Sequence, residues 1–121
     1  MASVAATGAW ATPKTASKET FVHHVFFWLK NPTVEADRVK LIEGLEKLSK
    51  VPQIRMVHIG APASTNRSVI ERGYSVSWLL FFDSLEEEEI YQKHPIHLKF
   101  VEDYAHLWEK VIVYDSVGAK R

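Results

Sequence analysis

The chain has 121 residues, 46% of them hydrophobic, which is enough for one buried core and too short for two domains. Fifteen basic and fifteen acidic side chains cancel without forming a basic stripe, which argues against nucleic acid and anionic membranes as partners. The absence of cysteine excludes disulfides, thiolate nucleophiles and zinc–thiolate centres, and suits a reducing, cytoplasmic setting.

Residues 1–19, "MASVAATGAWATPKTASKE", are rich in small residues and lack the continuous apolar segment of a secretory signal. A disordered tail or short leader is expected there. The folded domain is expected over residues 20–117, with a short tail at 118–121.

"FVHHVFFWL", residues 21–29, is aromatic and β-branched and is stopped by "KNPT", so it reads as the first strand. "VEADRVKLIEGLEKLSK" then sets Val34, Arg38, Leu41, Ile42, Leu45 and Leu48 at helical spacing before Pro52. "IRMVHIG" (54–60) and "YSVSWLLFF" (74–82) read as strands, joined by a connection longer than a hairpin loop. "DSLEEEEIYQK" opens with Ser84 and Glu87 at capping-box spacing, and its glutamates read as a solvated first turn. Pro95 restarts the chain into "IHLKFVEDYAHLWEK", expected to be helical, and "VIVYDS" forms the last strand.

The order βαββαβ, with its second crossover broken in two, predicts a ferredoxin-like α+β fold: a four-stranded antiparallel sheet with helices on one face. Both alternating faces of the first and third strands are apolar, whereas a half-exposed strand would alternate apolar and polar. The uncovered face therefore calls for a second subunit, and a homodimer whose two sheets form a shared barrel is expected.

The chemistry-bearing stretch is "YQKHPIHLKF", residues 91–100. Pro at the first helical position puts His94 at the cap and His97 in the first turn, on the side of Phe100, Val101, Tyr104, Leu107 and Trp108. An imidazole on that apolar face needs a partner, and Tyr91 is near in sequence. Desolvation and the helix N-terminus both favour the neutral ring, so His97 is a candidate general base and Tyr91 a candidate orienting or carbonyl-polarising donor. A buried histidine satisfied by the tyrosine for purely structural reasons stands beside that reading. No third histidine or carboxylate sits at a familiar ligand offset, so no metal and no other cofactor is expected. His23 and His24 face opposite ways in the first strand, so only one can share a pocket with His97. His58 reads as an interface or surface residue and His106 as solvated.

Taken together, "HHVFFWLKNP", "IGAPAS", "GYSVSWLLFFDS", "YQKHPIHLKFV" and "LWEKVIVYDS" resemble the stress-responsive A/B barrel (Dabb) family of dimeric α+β barrel proteins, over about residues 21–115. The resemblance implies the fold and dimer just described, an apolar pocket in each subunit, and no cofactor. One plant polyketide cyclase of the family closes a ring without metal; its base and the base's tyrosine partner map onto His97 and Tyr91, and a first-strand pocket histidine maps onto His24. Pocket-lining residues are accordingly expected at His24, Val76, Trp78 and Phe100. Val76 stands where the cyclase has a histidine, and Gly44 where it has a pocket tyrosine, so a different substrate is implied.

Two functions follow. The first is a small-molecule pocket for an apolar carbonyl compound with cofactor-free proton transfer, as in a cyclase-like lyase or an isomerase. The second is a non-catalytic, stress-protective or structural oligomer in which Tyr91, His94 and His97 only pin the helix break. A barrel monooxygenase, resting on fold analogy and Trp28, ranks behind both.

Overall fold

The computed structural model describes residues 17–120. Most of the expected N-terminal tail, residues 1–16, lies outside the described residues.

Four antiparallel strands, β1 (Phe21–Leu29), β2 (Met56–Gly60), β3 (Val76–Phe82) and β4 (Trp108–Val117), make one sheet in the order β2-β3-β1-β4. Helix α1 (Glu35–Leu48) links β1 to β2, and α2 (Leu85–Lys93) and α3 (Pro95–Tyr104) together link β3 to β4. This is the ferredoxin-like α+β fold.

Strict alternation of burial along β1 shows how the sheet is used: Phe21, His23, Val25, Phe27 and Leu29 are buried, while Val22, His24, Phe26 and Trp28 are half-buried on the other face. The buried set meets Leu41, Leu45 and Leu48 of α1 and Trp78, Leu80 and Phe82 of β3 in a single core. Val34 stands just before α1 and is 42% exposed, outside the apolar stripe that its spacing suggested.

Ser84 caps α2 by accepting from the Glu87 amide at 3.4 Å, and His94 caps α3 by accepting from the Ile96 amide through Nδ1 at 3.1 Å. Pro95 occupies the first turn of α3, where its missing N–H costs no hydrogen bond.

Two expectations fail locally. The last helix does not run to Lys110: α3 ends at Tyr104, a single 3₁₀ turn covers Ala105–Leu107, and Trp108 begins β4. Strand pairing of Trp108 with Leu29, and packing of its ring on Phe27 (4.8 Å) and Phe100 (5.7 Å), outweigh its helical phasing with His97. The acidic run is not solvated throughout, because Glu88 is buried beneath α2.

The face of the sheet away from the helices carries an aromatic cluster in which Phe26 packs on His24 (4.2 Å), Tyr74 (4.9 Å) and Tyr114 (6.0 Å). No helix among the described residues is long and apolar enough to cross a membrane.

Candidate active site

A cavity of about 170 Å³ lies between the helix-facing side of the sheet and the α2–α3 corner. His97 and Phe100 border it from α3, Tyr91 from α2, Trp78 from β3, His23 from β1 and Trp108 from β4. Val101, Val111 and Val113 also line it and are 38–45% exposed, so its mouth opens over the β4 edge and is apolar.

The break at Pro95 is what brings Tyr91 and His97 together. With a straight helix the two residues, six apart, would fall on different faces; with the restart their rings meet edge-to-face at 4.8 Å. They are in contact through ring edges rather than through a hydrogen bond. The tyrosine's hydrogen-bond partner is Trp78, whose indole N–H donates to the phenol oxygen at 3.1 Å. Burial pushes the Tyr91 phenol far above its ordinary range, with Glu88 adding to the shift and the Trp78 bond opposing it. Tyr91 is therefore a neutral phenol.

His97 is lowered from the ordinary value of 6.5, first by burial and then by His23 across the cavity; the backbone of Gln92 opposes the shift. Its Nδ1 is buried with no hydrogen-bond partner among the described residues. A neutral imidazole with an uncommitted nitrogen can accept a proton or a donor from a guest.

The opposite wall holds a group that sequence reasoning underweighted. His23 Nδ1 lies 2.7 Å from Asp115 Oδ1 and 3.7 Å from Glu88 Oε2. A carboxylate only accepts, so Nδ1 carries a proton directed at Asp115. Glu88 is fixed in turn by Gln92, whose side-chain amide donates to it at 2.8 Å. Helical spacing from Tyr91 three residues on could have exposed Glu88 as inward-facing.

The register also corrects two expected lining residues. His24 pairs with Leu79 and lies on the outer face of the sheet, where its Nε2 meets Ser77 Oγ at 3.0 Å; the strand histidine at the cavity is His23. Burial, then His58 and His23, lower His24 below its ordinary value. Val76 is fully buried in the core and does not border the cavity, whereas Trp78 and Phe100 do. Gly44 lies away from the cavity, on α1 against Tyr104. His58 and His106 are exposed.

Fold and site together define a ferredoxin-like α+β domain with an apolar cavity edged by two imidazoles and a phenol. Residues 21–117 match the model of the stress responsive A/B barrel domain, Dabb, and the chain belongs to that family. Olivetolic acid cyclase of Cannabis sativa is 26% identical over 99 residues, covering 81% of this chain and 96% of the cyclase. Among solved structures, hydroxynitrile lyase from Passiflora edulis superposes with a TM-score of 0.70 at 18% identity, over 87% of this chain and 98% of the lyase. A dimeric ferredoxin-like protein of unknown function from Thermobifida fusca superposes with a TM-score of 0.65 at 17% identity, over 81% and 90% of the two chains.

Proposed function

We propose that this protein is a homodimer that binds a small apolar carbonyl compound in the cavity beside His97 and moves a proton on it without a cofactor, as a cyclase-like lyase or isomerase does. The observation that carries this reading is the pairing of a neutral His97, whose Nδ1 has no partner among the described residues, with a neutral Tyr91 phenol at the wall of an apolar cavity. His97 would take the proton, and Tyr91 would donate to the carbonyl oxygen as negative charge develops there. Trp78 and Phe100 would shape the space for the guest. A Dabb relative named as a cyclase and a structural neighbour named as a lyase support this class of chemistry without naming the substrate.

The aromatic outer face of the sheet supports the homodimer, since Phe26, Trp28 and Tyr114 are left half-buried or exposed on one chain and a second sheet would cover them. A dimeric structural neighbour accords with it.

The non-catalytic reading is favoured by one observation, the Trp78–Tyr91 bond, which gives the buried phenol oxygen a donor without any guest. The His97→Ala variant separates the two. Loss of turnover on a carbonyl substrate with folding intact supports catalysis; loss of folding stability with no effect on any guest supports the structural role.

A further inference from the structure

A second concavity of about 350 Å³, roughly twice the inner one, lies on the outer side of the helix layer between α1 and α3. Leu48, Ile96 and Phe100 make its walls apolar. Its floor exists because residue 44 is glycine: a Cβ there would stand 2.9 Å from the ring of Tyr104, so only a bare backbone lets the two helices approach so closely. Leu48 and Phe100 border both spaces and separate this groove from the cavity of His97.

Three charged side chains stand at its rim, Lys47, Lys99 and Asp103. Lys99 is tied to Asp103 at 3.0 Å and the two charges cancel. Lys47 meets no carboxylate at ion-pair distance among the described residues. It donates instead to the Tyr104 hydroxyl at 3.2 Å and lies 5.9 Å from the centre of that ring. The groove is thus an apolar trough with one uncompensated positive charge, held in place at its edge by a phenol. Because the Tyr104 oxygen accepts from Lys47, its own proton is left to be donated elsewhere. An ammonium and a phenol O–H side by side offer two donors to the two oxygens of one carboxylate.

We propose that the α1–α3 groove is a binding site for an amphiphilic monocarboxylate, with its acyl chain along Leu48, Ile96 and Phe100 and its carboxylate held by Lys47 Nζ and Tyr104 Oη. Charge complementarity selects this occupant: with Lys99 and Asp103 cancelling, a cationic amphiphile would meet the uncompensated Lys47, and a neutral alcohol would forgo the ion pair. The site is independent of whether His97 does chemistry.

The test titrates the full-length, isotopically labelled protein with decanoate, decanol and decylamine by NMR. Decanoate is expected to shift the amides of Gly44, Lys47, Ile96 and Lys99, with decanol weaker and decylamine weakest. Lys47→Gln, at an exposed position, is expected to weaken decanoate about fivefold, the size of one exposed ion pair, and to leave decanol unchanged. Tyr104→Phe, which keeps the ring against Gly44, is expected to act in the same direction. Equal binding of decanoate and decylamine overturns the proposal. So does insensitivity to both substitutions, a shift pattern centred on Val111 and Val113, or occlusion of the groove by a second copy of the chain.

Discussion

The indole N–H of Trp78 donates to the hydroxyl of Tyr91 at 3.1 Å, both side chains being about 1% exposed, and this bond governs how the tyrosine can act. Indole only donates, so it occupies a lone pair of the phenol and leaves the phenolic proton free for a guest in the cavity. Trp78→Phe removes the donor and part of the ring. It is expected to destabilise the fold by about 2 kcal/mol, from one buried hydrogen bond plus a small void. Urea unfolding measures this, and an unchanged midpoint would mean that the bond contributes nothing.

Stability is expected to fall on mild acidification, in a direction fixed by the two lowered histidines. His24 and His97 both sit below 6.5 in the fold, so the unfolded chain takes up their protons first as pH drops. Their contribution is complete above pH 6.5 and declines as pH falls through 6.5 towards the folded values. Thermal unfolding across that interval should show the decline, and His97→Phe should make it shallower; a slope of the opposite sign would contradict the assignment.

Gly44→Ala opposes two effects. The substitution favours helix by about 1 kcal/mol, but overpacking against a buried ring costs about 1–3 kcal/mol. Since the new Cβ would meet Tyr104 at 2.9 Å, net destabilisation is expected. In a Tyr104→Leu background the same change should become neutral or stabilising. Calorimetry of the four proteins gives the coupling, and additive effects would show that the ring does not limit this position.

The aromatic outer face bears on assembly. Phe26→Glu puts a charge at the centre of the His24, Tyr74 and Tyr114 cluster and is expected to yield a monomer, whereas the unaltered chain is expected to scatter as a dimer at micromolar concentration. A monomeric unaltered chain would remove the shared barrel.

Much of this architecture was legible from residues 21–29 and 84–95, because β-branched and aromatic density, Asn-Pro, the Ser84 cap and Pro95 act locally. What could not be read is set by tertiary packing. Adjacent histidines in a strand whose two faces are both apolar have no phase marker, so His24 and His23 could be told apart only by the pairing of His23 with Asp115. Trp108 continues the apolar period of α3, and its entry into β4 depends on Leu29 and Phe27 more than seventy residues earlier. Glu88 looks like the other three glutamates of its run until α2 is laid against His23. Tyr91 and His97 were recognisable as neighbours, but their contact through ring edges, with Trp78 taking the hydrogen bond, was not.

A His97 that acts as a base on a carbonyl guest should labilise protons next to that carbonyl. Exchange of the α-protons of small methyl ketones for deuterium, followed by proton NMR in D₂O, tests it most directly because it needs no knowledge of the natural substrate. The unaltered protein is expected to accelerate exchange, His97→Ala to abolish the acceleration while remaining folded, and the acceleration to fade as His97 is protonated below pH 6.5. Acceleration that survives His97→Ala, or exchange no faster than in buffer across a series of such ketones, would contradict it.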